Sequence, residues 1–373
     1  MNNPMTVLIT GSKGFIARNL LSHLSRWDGP KVITTDRNST EEELLNKLAQ
    51  ADIVIHLAGE NRPSDEAEYE KVNTGLTATI VDHLEKLGRP YKLLYSSSAQ
   101  ASHDNAYGIS KRKAEEKIIS TVKNGSSTIF RFPGIFGKWC KPNYNSVVAT
   151  YCHKIAHNLP IEVRDPEYVL NLMYIDDVVH LLLNEIKPPV TFEKSVVFAT
   201  LEPVYKMSLG DLALTIKSFK EGRSNFFLPM VGDDLQKKLY STYLTYLKGD
   251  DFSYTPLLRT DERGSLFELF KSGGAGQIFV SCTRPGVTRG NHFHHTKTEK
   301  FCVVYGKGLI RFRHIDNNSV IEYPVDGNHP QIVDIPPGYT HNIKNIGETD
   351  MITLFWANEI FDPQRPDTFI ENV

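Results

Sequence analysis

From Met5 to about Pro133, short apolar runs alternate with amphipathic stretches, the rhythm of β-α-β units in a doubly wound parallel sheet. Strands are predicted over 7–10, 31–35, 53–57, 93–96 and 128–132. Between them, 15–24, 41–48, 67–87 and 107–122 carry apolar residues at helical spacing, with Ser39 and Glu42 shaped like a capping box for the second. Helices are predicted again over 146–157, 176–185, 208–218 and 233–247, on the substrate side of this domain. After Leu247 helical periodicity disappears, Gly and Pro become frequent, and strand-like runs recur at 266–270, 277–282, 301–305, 309–314, 331–335 and 351–356. That spacing describes a small all-β barrel or sandwich. The expected organisation is a Rossmann α/β domain over 1–247 and an all-β domain over 248–373, divided where Gly249, Asp250 and Asp251 break the last helix.

A length of 373 residues suits two domains. With 42 basic against 44 acidic residues, nothing marks the chain as a nucleic-acid or anionic-membrane binder, so any phosphate recognition is local. Cys140, Cys152, Cys282 and Cys302 form no C-x-x-C pair, which fits a reducing cytosol. The start, Met1 to Met5, has no positive flank before an apolar run, and no stretch of about 18 apolar residues follows. These features describe a soluble, cytoplasmic protein without membrane or nucleic-acid partners.

The first strand runs into Thr10-Gly11-Ser12-Lys13-Gly14-Phe15-Ile16, a glycine turn opening a helix, where free amides and the helix dipole attract a pyrophosphate. Gly11, Lys13, Gly14, Phe15 and Ile16 are therefore candidate dinucleotide contacts. At the end of the second strand, Asp36 suits the ribose hydroxyls of NAD and Arg37 the 2′-phosphate of NADP, and we favour NADP. Ser98 ends a strand shortly before Tyr107-x-x-x-Lys111. On a helix, i and i+4 share a face, so Lys111 can sit near the Tyr107 hydroxyl and lower its pKa for proton transfer, while Ser98 polarises a substrate carbonyl.

These residues, together with Leu57-Ala58-Gly59 after the third strand, Asn73 and Arg131-Phe132-Pro133, resemble extended short-chain dehydrogenases that act on nucleotide sugars. The resemblance implies Tyr107 as acid/base, Lys111 as its support and ribose contact, and Ser98 on the carbonyl, with Leu57, Ala58 and Gly59 along the cofactor. Only about twenty residues separate Asp36 from His56, room for one helix rather than the family's longer excursion. Ala99 and Gln100 follow Ser98, where the 4,6-dehydratases of this family carry an acidic pair, so hydride transfer is favoured over dehydration. Asn145 and Ser146, at a helix start, suit a substrate diphosphate or an ordinary N-cap.

In the second domain the strongest signal is Gly286-x5-His292-x-His294-x4-Glu299-x6-Gly306, followed by Pro336-x-Gly338-x2-His341-x3-Asn345. Together these look like the two motifs of metal-binding cupins, jelly-roll barrels. With a strand period of two, His292 and His294 point into the barrel, where Glu299 and His341 can close around one cation. Three imidazoles and a carboxylate suit Zn²⁺ first, with Fe, Mn or Ni allowed by ligand type. His295 should point away, and Tyr305, His314, His329 and Tyr339 are candidates for proton transfer.

A sugar-nucleotide reductase followed by a metal cupin resembles, over nearly the whole chain, the bifunctional enzymes of capsular-polysaccharide synthesis. The resemblance implies a UDP-2-acetamido-2,6-dideoxy-4-hexulose on the route to UDP-N-acetyl-L-fucosamine, epimerised at C3 by the cupin and reduced at C4 with NADPH, in a homodimer. A structural or ligand-sensing cupin beside a single reductase is the alternative.

Overall fold

The computed structural model describes residues 5–27 and 29–373; Met1–Pro4, part of the start read for a leader, and Asp28 lie outside the described residues. The first compact unit comprises Met1–Ile216 and Lys238–Leu247, the second Lys217–Lys237 and Lys248–Val373. Residues 217–237, expected with the first domain, thus belong to the second unit. Their hold there is backbone pairing: Leu228 N–H donates to Lys271 O (2.8 Å) and Lys271 N–H to Phe226 O (2.8 Å).

The first unit alternates β1 (Thr6–Thr10), α1 (Phe15–Leu24), β2 (Lys31–Thr35), α2 (Glu41–Leu48), β3 (Ile53–His56), α3 (Ala67–Tyr69), α4 (Leu76–Lys86), β4 (Lys92–Ser98), α5 (Ala106–Thr121) and β5 (Ser126–Phe132). Then come β6 (Gly134–Phe136), α6 (Val147–Ala156), β7 (Val169–Tyr174), α7 (Ile175–Ile186), β8 (Ser195–Phe198), β9 (Tyr205–Ser208), and the helices α8 (Leu209–Asn225) and α9 (Asp234–Leu244), each divided between the units at Lys217 and Lys238. The main sheet runs β2-β1-β3-β4-β5-β8, all parallel. Because the link from β2 to β3 holds only α2, the chain returns directly to the far side of β1, and β2 is left at the edge. The topological switch therefore falls between β1 and β3, where such sheets open a crevice at their carboxyl ends.

Strand alternation feeds two apolar layers. Val7, Ile9, Ile53, Ile55 and Leu94 pack with α1 and α7, whereas Leu8, Val54, Leu93 and Tyr95 pack with α2, α4 and α5. Two local expectations are corrected. The cap of α2 is Thr40, whose hydroxyl accepts from Glu43 N–H (3.1 Å), because Ser39 Oγ is taken by Asp36 N–H (3.4 Å). The helix expected over 67–87 is broken by a π turn at Glu70–Gly75, which aims the buried Asn73 at Glu60; its amide donates to Glu60 O (2.9 Å) and its oxygen accepts from Glu60 N–H (2.9 Å).

The second unit folds as β10 (Arg259–Asp261), β11 (Gly264–Ser272), β12 (Gly276–Thr283), β13 (Thr288–Phe293), β14 (Glu299–Tyr305), β15 (Lys307–His314), β16 (Val320–Asp326), β17 (Ile332–Ile335), β18 (Tyr339–Asn345), β19 (Met351–Ala357) and β20 (Phe369–Ile370). Two antiparallel sheets, β10-β11-β12-β19-β14-β17 and β16-β15-β18-β13-β20, enclose Phe301, Ile310, Phe312, Ile343 and Phe355. This is the expected jelly-roll.

At the carboxyl edge of the parallel sheet, register aligns Thr10, His56 and Tyr95. Thr10 Oγ1 accepts from Ala58 N–H (3.2 Å) and so donates to His56 Nδ1 (2.8 Å). Thr77 Oγ1 donates to Asn73 O (2.6 Å) and accepts from His56 Nε2–H (3.0 Å). The ring is neutral, and burial, with Lys111 nearby, pushes it down to about 3 from an ordinary 6.5. Between these pH values the unfolded chain binds a proton that the folded chain does not, so stability rises with pH through the window and is lost as pH falls. From pH 7.5 to 4.5 His56 alone removes about 3 kcal/mol. Urea midpoints at both pH values should therefore fall less for His56→Gln than for the parent; equal decrements would contradict this account.

Candidate active sites

Gly11 has φ +68, and a Cβ there would lie 2.8 Å from the Cα of Ala58, so only glycine lets the turn after β1 approach the chain leaving β3. Gly14 caps α1 without a side-chain hydrogen bond, leaving the first-turn amides at Phe15 and Ile16 free of an internal side-chain acceptor. Lys13 reaches Asp36 (2.6 Å), holding that carboxyl below its ordinary range, and Arg37 reaches Glu60 (2.8 Å). The end of β2 thus gathers two cations, each beside a carboxylate.

Gly59 sits under the ammonium of Lys111, where a Cβ would lie 3.4 Å from Nζ. Lys111 is 5% exposed; it donates to Ser96 O (2.7 Å) and Tyr95 OH (3.3 Å), and burial pushes it down to about 8. The turn at Ala99–Ser102 separates Ser98 from the start of α5, which carries Tyr107. The expectation that Lys111 lowers the Tyr107 phenol is corrected. Burial raises it, opposed by Ser98, because the Lys111 ammonium is directed at β4 while Tyr69 packs over Tyr107 with ring centroids 5.8 Å apart.

Sequence reasoning did not find the support behind this group. Glu115, one turn beyond Lys111 and 2% exposed, accepts from Arg131 Nε (3.0 Å) and Nη2 (2.5 Å) and from the Ser97 hydroxyl, tying α5 to β4 and β5. Its spacing from Lys111 was the available signal. Ser146 is an N-cap, accepting from Ala149 N–H (3.4 Å), and Asn145 is exposed beside it.

In the barrel, one ligand atom from each of His292, His294, Glu299 and His341 lies within 4.8 Å of all the others. Glu299 Oε2 is 3.4 Å from His294 Nε2 and 3.3 Å from His341 Nε2. His294 Nδ1–H donates to Asp367 O (2.5 Å) and His341 Nδ1 faces Tyr339 O (3.3 Å), so both Nε2 atoms turn inward. Both are buried without a hydrogen-bond partner, the condition a cation would relieve. Burial, with the imidazoles of His341 and His294, pushes His292 down to about 4, leaving it neutral. Burial raises the Glu299 carboxyl, but the imidazoles of His294 and His341 beside it more than reverse this. The residues fit a divalent metal.

A cavity of about 230 Å³ opens onto His292, His294 and Glu299, lined also by Arg259, Glu268, Gln277, Phe279 and Lys297. His295 points elsewhere, against Phe369 at 4.8 Å. Tyr305, His314, His329 and Tyr339 do not line the cavity; His314 and Tyr339 pack on each other at 4.9 Å. Glu268 replaces them as the acid/base candidate.

Residues 7–194 match the NAD dependent epimerase/dehydratase family, and residues 259–369 match the polysaccharide biosynthesis C-terminal domain. A UDP-2-acetamido-2,6-beta-L-arabino-hexul-4-ose reductase of Pseudomonas aeruginosa is 40% identical over 98% of both chains. The crystal structure of the capsular polysaccharide assembling protein CapF from Staphylococcus aureus is similar at a TM-score of 0.88, with 44% identity, covering 99% of this chain and 100% of that one. UDP-glucose 4-epimerase from Thermotoga maritima, solved with UDP-glucose, shares the fold alone, with a TM-score of 0.53 and 19% identity over 65% of this chain and 98% of that one. The glycine turn at the switch point, the Ser98–Tyr107–Lys111 grouping and the barrel cluster thus meet in a chain that belongs to the NAD dependent epimerase/dehydratase family, in the two-part form with a polysaccharide biosynthesis C-terminal domain that CapF shares.

Proposed function

We propose that this enzyme is bifunctional on a nucleotide sugar: a cupin in the second unit epimerises C3 of a UDP-2-acetamido-2,6-dideoxy-4-hexulose, and a reductase in the first unit reduces the C4 ketone with NADPH. The observation that carries the reading is the convergence of four ligand atoms within 4.8 Å. The names of the relatives support a keto-sugar nucleotide and a capsule pathway.

The turn at Gly11, Lys13 and Gly14, with Leu57, Ala58 and Gly59, would hold the dinucleotide, and Lys13 and Arg37 beside Asp36 favour a 2′-phosphate. His292, His294, Glu299 and His341 would hold Zn²⁺. When bound, the nicotinamide supplies a hydride to the ketone carbon, and the divalent cation supplies polarisation of a carbonyl. The remaining chemistry belongs to the chain. Ser98 donates to the C4 oxygen, and Tyr107 gives its phenolic proton to that oxygen as it becomes an alkoxide. The buried Lys111 ammonium, beside Gly59, would hold the nicotinamide ribose. In the barrel, Glu268 is, among the described residues lining the cavity, the one carboxylate besides Glu299. Its carboxylate takes the proton from C3, the C–H electron pair enters the C3–C4 enediolate, and a water proton added on the opposite face inverts the centre. Lys297 is unsuited to this work, because its ammonium is held by Pro366 O (3.1 Å) and Thr368 Oγ1 (3.1 Å).

One assay tests both halves: the keto-sugar nucleotide is incubated in deuterated water with and without NADPH, followed by absorbance and by NMR at C3. Tyr107→Phe should lower NADPH oxidation by about 10²–10⁴-fold with NADPH affinity kept and C3 exchange intact. Retained oxidation would remove Tyr107 from the reaction. Glu268→Gln should lower C3 exchange over the same range of about 10²–10⁴-fold while zinc content stays that of the parent. Undiminished exchange would remove Glu268, and no exchange by the zinc-loaded parent would leave a single-activity reductase with a structural cupin.

A further inference from the structure

The turn from His294 to Thr298 joins the strands that carry His292 and Glu299, and its amides find their partners far along the chain. The carboxylate of Asp367 accepts from the backbone N–H of His295 (3.0 Å), Thr296 (2.9 Å) and Lys297 (2.8 Å), and from Thr296 Oγ1 (3.0 Å). The backbone carbonyl of the same residue accepts from His294 Nδ1 (2.5 Å). On either side of it, Pro366 O and Thr368 Oγ1 hold the Lys297 ammonium, itself 6% exposed. The following strand β20 then pairs with β13 at His292↔Ile370 and Phe293↔Phe369.

We infer that Asp367 is a positioning residue for the metal site: its carboxylate fixes the turn between His294 and Glu299, and its carbonyl fixes the His294 tautomer that presents Nε2 to the cluster. This rests on the metal reading above and adds to it a partner 73 residues from His294. Two features argue against a carboxylate placed there for folding alone. Its four acceptor contacts all fall on the segment 295–297 between two ligands, not on the body of either sheet. Its backbone, at φ 38, lies in the left-handed region, a conformation that aspartate and asparagine tolerate better than other side chains. An outer group that orients a ligating imidazole commonly changes metal affinity by about 10–100-fold.

Asp367→Asn is the direct test, since asparagine keeps the backbone shape and the carbonyl on His294 but turns an NH2 toward amide donors. Zinc affinity of the full chain is measured by chelator competition, alongside circular dichroism, the thermal midpoint of the zinc-free form and NADPH affinity. The expected result is a dissociation constant raised about 10–100-fold with those three unchanged. A constant within twofold of the parent would overturn the assignment. Should Asp367→Asn fail to fold, Thr296→Val, which removes only the hydroxyl contact, decides: a several-fold weakening supports the role, and an unchanged constant ends it. A double variant, His292→Ala with His341→Ala, separates the two readings. If the parent binds zinc no better than this variant, the metal site and the clasp both fall; if the parent binds and Asp367→Asn matches it, the clasp alone falls.

Discussion

Burying a polar group is costly unless it finds a partner, and this constraint organises both units of the protein. In the parallel sheet the buried His56 is satisfied by two threonine hydroxyls, and those threonines are satisfied in turn by Ala58 N–H and Asn73 O. The chain of donors is complete, so the ring stays neutral and its tautomer is defined. Lys111, close enough to depress His56 further, is held in the same layer by Ser96 O and the Tyr95 hydroxyl. In the barrel the corresponding chain stops short: two imidazole nitrogens point at a carboxylate and are left without a hydrogen bond. The His56 network closes internally, whereas the barrel cluster leaves two nitrogens that a cation would satisfy.

The difference explains how much could be read from the chain. Strands and helices of the first unit were legible because their inward positions are apolar: α1 and α2 begin and end where their amphipathic runs do. In the second unit, β18 was not identified as a strand, and β13 only through the His292-x-His294 spacing. In β18 the buried positions hold Thr340, His341, Asn342 and Asn345, with Ile343 the one aliphatic among them, and β13 is interrupted by a bulge between Gly290 and His292. Yet the ligands on those hidden strands were found, since motif spacing carries them independently of periodicity. The segment 217–237 has helical texture like its neighbours, and its place with the second unit is set by main-chain pairing to Lys271, which leaves no side-chain signature.

Residues that act through others were the least visible. Glu115 lies one helical turn from Lys111, a spacing that any surface ion pair also shows. Glu268 and Gln277 read as ordinary strand positions, and only the pairing of β11 with β12 and β12 with β19 turns them toward the ligands. Asp367 sits in a short run after the last long strand, where nothing in the local composition links it to His294. Long-range closure of the barrel is what gives each of these its neighbours.

The π turn before α4 has a consequence for descent. Such a turn is an α-helix carrying one added residue, and each residue rotates a helix by about 100°. Tyr69 precedes the turn, so the added residue sets the phase of its ring over Tyr107 relative to α4. A lineage that lost a single codon anywhere in Glu70–Gly75 would keep its hydrophobic stripe along Leu76–Lys86 while swinging the phenol of Tyr69 off its neighbour, a change of heredity that would look harmless in a comparison of core residues.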